Sequence, residues 1–290
     1  MATKKHEDTT VTSEATTTDV AVVTEPATAL AVVSDDDLMA EDFDTTNDFG
    51  SDDLAVPFLR ILQANSPAAV KRGEEYVPGA EPGHFLNTVT KQVYSGEDGV
   101  IIVPVAYHKN LTAWKPRAQD GSGGGFVHDY GTDMSALTQA ERNEKNKMID
   151  RDGNELVESG NYYVLVVNPD GSFNEALLSL SSTQLKYSRQ WNSIINGLLI
   201  KHPTTGKMAR PAMFYMSYNI TTKVEKKGEN QWFVVNIHQG TRTADLDNGM
   251  DIYLAAKNFR EIISSGKVKV VDDRPASSGN PDDEGGDIPF

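Results

Sequence analysis

The stretch "YYVLVVNPDGSFNEALLSL", residues 162–180, constrains the fold more than any other part of the chain. Residues 162–167 form an aromatic and β-branched run suited to a buried strand, and Asn168-Pro169-Asp170-Gly171 cannot continue it. Pro169 presets φ for a turn and Gly171 closes it, so the apolar run that follows is expected to fold back as a hairpin. The same pattern recurs on both sides. Runs at 85–90, 100–107 and 111–114 are separated by Gly- and Pro-containing turns, Asp152-Gly153 marks another turn, and 211–222 and 231–239 flank "KVEKKGEN" with Gly228 at its tip.

Two segments have helical periodicity instead. In "SSTQLKYSRQWNSIINGLL", Tyr187, Trp191, Ile194 and Leu198 recur at helical spacing, with Lys186 and Arg189 off that stripe. In "DIYLAAKNFREII", Ile252, Ala255, Phe259 and Ile262 or Ile263 do the same, and Gly266 ends the helix. Thr138 followed by Glu141 resembles a capping box, which predicts a polar surface helix running to about Met148. "GSGGG", Gly121 to Gly125, is expected to be a flexible loop, and "KVKVV" closes the core. Many short strands and a few helices predict a mainly β, α+β fold: an OB-fold-like antiparallel barrel or a twisted sheet.

Charge divides the chain into three. Residues 1–54 hold two lysines and fourteen Asp or Glu, and residues 275–290 hold four acids and no base, out of a total net charge of −15. Segments so acidic and so poor in large apolar side chains are expected to be disordered. The core, 55–274, is left with 25 basic and 24 acidic side chains, so the low overall pI does not argue against a nucleic-acid partner. The apolar run 21–33 is broken by Glu25 and Pro26 and lacks a basic leader, so neither a signal peptide nor a membrane span is expected there.

Catalytic constellations are weak. The chain has no cysteine, which excludes disulfides, thiolate chemistry and Cys-based zinc sites. Its six histidines form no i, i+4 pair, and "GSGGG" lacks the Gly-Lys-Ser/Thr of a phosphate loop. The acidic loops beginning at Asp150 and Asp245 have Asn161 and Ala256 where a calcium loop needs a bidentate Glu. No enzyme activity, cofactor or metal is therefore expected.

Single-strand binders need cations that follow phosphates and flat side chains on which bases stack. "YHKNLTAWKPR" interleaves them as Tyr107, Lys109, Trp114, Lys115 and Arg117, followed past the glycines by Phe126. The alternative is a core Trp114 beside a solvated Lys115 and Arg117. Lys186, Arg189 and Lys201 form a second group, next to a Trp191 expected in the core, and Arg210, Tyr215, Tyr218 and Lys223 form a third. Tyr215 and Tyr218 cannot share one face of a regular strand, so Tyr218 is kept as the stacking candidate, with Trp232 beside it.

The chain ends "PDDEGGDIPF". Asp282, Asp283, Glu284 and Asp287 followed by Ile288, Pro289 and a terminal Phe290 resemble the C-terminal tip of bacterial single-stranded DNA-binding proteins. The long core and acidic arm look more like the divergent phage-encoded members of that group. The resemblance implies an OB-fold core that binds single-stranded DNA, and a tip that docks on replication, recombination and repair enzymes in the host cytoplasm. The terminal Phe would fill an apolar pocket while the carboxylates meet Arg or Lys around it. Only the tip residues carry over. A recombination or strand-annealing protein, and an adaptor that captures host enzymes without binding DNA, remain open, as does a homo-oligomer.

Overall fold

The computed structural model describes residues 55–117 and 123–270. The acidic arm, the tail and the disorder expected of both lie outside the described residues. The chain opens with β1 (Ala55–Val56), β2 (Leu59–Ile61), β3 (Phe85–Asn87) and β4 (Val93–Tyr94). Then come β5 (Val100–Arg117), β6 (Gly123–Gly131), β7 (Glu141–Arg142), β8 (Met148–Ile149), β9 (Glu155–Val167) and β10 (Phe173–Ser181). Helix α1 (Leu185–Gly197) leads through β11 (Ile200–Lys201) and β12 (Met208–Ala209) to the long hairpin β13 (Met216–Lys227) and β14 (Asn230–Arg242). Helix α2 (Gly249–Ser264) and β15 (Lys269–Val270) follow.

The main sheet runs β14-β13-β5-β9-β8-β7, with β10 on β9 and β6 on β5, and curls into an antiparallel half-barrel. Its long strands, β14-β13-β5-β9-β10 with α1 between β10 and β13, have the connectivity of a five-stranded, partly open barrel of the OB type. The ladder that would join β10 to β14 is absent. Residues 57–63 occupy that seam. Leu177 on β10 donates to the Pro57 carbonyl at 2.8 Å and bridges Phe58 in parallel. The Gln63 amide meets both the N–H and the C=O of Phe233 on β14, each at 2.9 Å. Gln184 Oε1 accepts the Val235 N–H at 3.3 Å.

Inside the barrel, Ile102, Val164, Val166, Leu178, Leu180 and Ile220 surround Trp191, which has no exposed surface. The indole stacks on Tyr162 at 4.2 Å and meets Tyr218 edge-on at 5.4 Å. Helix α1 sits this close because β9 presents Gly160 to it. A Cβ there would lie 2.4 Å from Ser188 Oγ. The Tyr162 hydroxyl is 2.9 Å from both the Ser188 carbonyl and Asn192 Oδ1. On the outer face of the sheet, Ile252, Ala256, Phe259 and Ile263 of α2 cover Val103, Val105, Leu165 and Val167.

Several local expectations are corrected. The polar helix expected after Thr138 is a 3-10 turn, Ser135–Gln139, followed by the β7–β8 hairpin. The Thr138 hydroxyl donates back to Ser135 O at 2.7 Å instead of capping forward, and Asn146 takes φ 61° in the turn. With no apolar stripe to bury, that segment has little to hold a helix. The runs at 100–107 and 111–114 are one strand, β5, with a bulge between Pro104 and Ala106. Gly123 to Gly125 of the expected loop begin β6, whereas Gly121 and Ser122 lie outside the described residues. The buried stripe of α1 runs through Ser188 and Trp191 with Ile195 packed against the core, leaving Ile194 exposed. One pair, β1 with β15, is parallel.

Removing the indole should leave a cavity next to Tyr162 that the strands cannot close. Trp191→Ala is expected to lose about 3–5 kcal/mol of stability, read from the midpoint of urea unfolding.

Candidate nucleic-acid interface

Alternate residues of a strand face opposite sides, so the burial of Tyr162 inside the barrel commits Ser159, Asn161 and Tyr163 to the outside. On that outer face β9 starts apolar under α2, at Val167 and Leu165, and turns polar where α2 ends. Register sets Ser179, Asn161 and His108 in one row across β10, β9 and β5, and Ser181, Ser159 and Asn110 in the next. Thr112 opposite Val157, and Trp114 opposite Glu155, continue the face along β5.

These side chains floor a trough of about 1860 Å³. Residues 58–62 and 74–78 line its rim, together with Gly124 and Gly125 of β6 and with Asn143, Lys145 and Lys147 of the β7–β8 hairpin. The floor is held in place by its own hydrogen bonds. Ser179 Oγ donates to Asn161 Oδ1 at 2.7 Å, and Asn110 Nδ2 donates to Asp129 Oδ1 at 3.0 Å. Asn110 and Ser159 are only 8% and 9% exposed, a depth at which polar groups ordinarily need partners. At the far end Trp114 Nε1 donates to Thr112 Oγ1 at 2.8 Å, and Phe126 stands edge-on to the indole at 5.6 Å. The lining charges balance: five Lys or Arg against five Asp or Glu, with Lys147 paired to Glu155 at 2.5 Å. Burial lowers the His108 pKa, and the ring lies 5.7 Å from Tyr163, whose phenol burial pushes up.

The structure separates the residues that the sequence grouped. Trp114 and Lys115 line the trough, and Phe126 packs on Trp114. Tyr107 and Lys109 point to the other face, Tyr107 against Tyr162 at 4.8 Å and Lys109 in a 2.5 Å ion pair with Glu158. Arg117 ends β5, but its side chain lies outside the described residues. Lys186 and Lys223, from separate sequence groups, meet over the Tyr187 ring at 4.9 and 4.7 Å, and Lys186 pairs with Glu225 at 2.5 Å. The Tyr187 hydroxyl donates to the same carboxylate. Arg189 is exposed on α1, and Arg210 Nε donates to the Asn196 carbonyl at its last turn, 2.7 Å away. Trp232 is half-buried on β14.

Tyr218 is a correction. It is 1% exposed, burial pushes its phenol up to about 12, and its ring is enclosed against Trp191, so no face is left for a base. The tip residues Asp282, Asp283, Glu284, Asp287, Ile288, Pro289 and Phe290 lie outside the described residues.

The two polar rows escaped sequence reading. Their signal was a mirror symmetry about Asp170 in the turn, since Asn161 pairs with Ser179 and Ser159 with Ser181 at equal distances from it. Among the described residues no cluster of His, Asp or Glu could hold a metal ion, and no helix is long and apolar enough to cross a membrane.

The family model described as Pam3 phage gp34-like protein matches residues 26–269. No curated protein and no solved structure matches the chain.

His108 generates a pH prediction. Its folded pKa is depressed below the unfolded value of about 6.5, so the unfolded chain binds the extra proton first and stability falls as pH drops below that value. His108→Gln is expected to flatten that part of a stability-against-pH curve measured by urea titration.

Proposed function

This chain belongs to the Pam3 phage gp34-like family, and we propose that it binds single-stranded DNA without sequence readout during phage DNA replication, recombination or repair. The observation that carries this reading is the trough on the outer face of β5, β9 and β10, next to the arm formed by β6–β8. That is the position at which OB-type barrels take oligonucleotides and oligosaccharides. Its floor suits unpaired bases. Ser, Thr and Asn side chains both donate and accept, so they can meet any base edge without selecting one. Trp114, supported edge-on by Phe126, offers a stacking surface, and Lys115 and Lys145 stand at the rim for phosphates. A duplex keeps its Watson–Crick edges paired and its base faces stacked, so it can offer neither to this floor and to Trp114.

The C-terminal tip supplies the second half of the proposal. Ile288, Pro289 and Phe290 behind Asp282, Asp283, Glu284 and Asp287 have the chemistry to dock on a basic-rimmed apolar pocket of a replication, recombination or repair enzyme. The protein would thus bring such enzymes to the strand it holds, with no catalysis of its own.

Titrating the intrinsic tryptophan fluorescence with oligo(dT) is expected to show quenching and a strong preference over duplex of equal length. Trp114→Ala should weaken oligo(dT) binding by about 1–3 kcal/mol, roughly 5- to 150-fold. If neither quenching nor a gel shift occurs at low salt, the reading fails and the DNA-independent adaptor replaces it. Deleting Ile288 to Phe290 should leave DNA affinity unchanged and abolish capture of the host enzymes.

A further inference from the structure

The trough is charge-balanced, yet the described chain concentrates its positive charge elsewhere. Residues 185–230 contain eight Lys or Arg and two Glu, whereas the rest of the core, 55–274, has seventeen basic and twenty-two acidic side chains. All eight of those cations are exposed. They surround α1. At its first turn Tyr187 holds Lys186 and Lys223 on its ring, which joins the helix to β13, and one of the two glutamates, Glu225, is already taken by Lys186 and Tyr187. At its last turn Arg210 is anchored on Asn196, and the β11–β12 hairpin adds Lys201 and Lys207.

We infer that this surface is a second nucleic-acid site, which takes the phosphate backbone of a strand other than the one in the trough. Two observations set it apart. The Phe, Tyr and Trp residues of 185–230 are all at least half-buried, so the surface offers cations to phosphates and, His202 apart, no exposed ring to bases. It also lies on the opposite side of β9. Tyr162 points toward α1 while its neighbours Asn161 and Tyr163 line the trough, so a short oligonucleotide cannot occupy both surfaces. One protein can therefore hold a strand by its bases on one face and a second strand by its phosphates on the other. That arrangement brings two strands together, the physical requirement for annealing. The two-strand arrangement rests on the trough reading, whereas the charge segregation stands without it.

The test uses the full-length protein and the variant Arg189→Gln/Lys201→Gln/Lys207→Gln/Lys227→Gln, which leaves the Arg210 anchor and the Lys186–Glu225 pair intact; Lys227 shares the face of β13 that carries Lys223 and Glu225. Three readouts are compared: binding of a short oligo(dT), energy transfer between donor- and acceptor-labelled non-complementary strands mixed with the protein, and the salt dependence of binding a long strand. The variant should bind the short oligonucleotide within about two-fold of the parent, lose bridging roughly ten-fold or more, and show a log–log salt slope shallower by about 3. Unchanged bridging and slope would overturn the inference. So would loss of the short oligonucleotide in step with bridging, which would mean one continuous site. Earlier elution from heparin with bridging intact would assign the surface to an acidic protein partner instead. If Trp114→Ala leaves oligo(dT) binding untouched while the quadruple variant reduces the slope, the trough reading fails and the two-strand arrangement with it, and the basic surface alone is the phosphate site.

Discussion

The contact on which the rest of the architecture depends is the stack of Trp191 on Tyr162. A strand offers its side chains alternately to two sides, so anchoring one of them decides the other. Once Tyr162 turns inward to meet the indole, Val164 and Val166 follow it into the barrel, while Ser159, Asn161, Tyr163 and Leu165 must face out. A one-residue slip of β9 would turn Ser159 and Asn161 into the barrel and Tyr162 out toward the trough. Gly160 permits the contact by letting Ser188 of α1 reach the strand backbone. The interior core and the polar trough are two consequences of one packing decision.

Much of this was legible in the sequence because it rests on local rules. The 168–171 turn, the Gly228 hairpin and both helices are visible from turn chemistry and periodicity, and the structure has them. The errors have a common cause. Thr138 and Glu141 satisfied a local signature, but residues 141–147 hold no apolar side chain to bury, and Leu137, Ala140 and Met148 pack on Leu111, Ala113 and Leu156 without a helix between them. Lys109 and Asn110 looked like a break between two strands, yet on a strand with two environments they are ordinary neighbours, one at an ion pair and one in the trough. Tyr218 shows the limit of composition: an aromatic beside cations reads the same whether it serves the core or a ligand, and only its enclosure by Trp191 distinguishes the two.

The separation of polarity and charge is the least local feature. The polar rows become visible only when three strands are set in register; the excess of cations in 185–230 can be counted in the sequence, but its meeting at α1 needs the fold. The near-neutral total of the core conceals this, since an average has no direction. The fold itself, a curled antiparallel half-barrel in a Pam3 phage gp34-like chain, provides two faces with different chemistry on one sheet.

The seam between β10 and β14 has a further effect. Two strands that pair by a ladder can meet only in whole-residue steps, so a fully laddered barrel has a girth fixed by its register. Here Gln63 and Gln184 span the gap with side-chain amides, which can shift by fractions of a residue. The volume of Trp191 and its neighbours, and not a hydrogen-bond count, therefore sets how wide the barrel stands. Changes of interior volume well short of a whole indole can be taken up by a shift at this one seam, without reorganising the strands that carry the outer face.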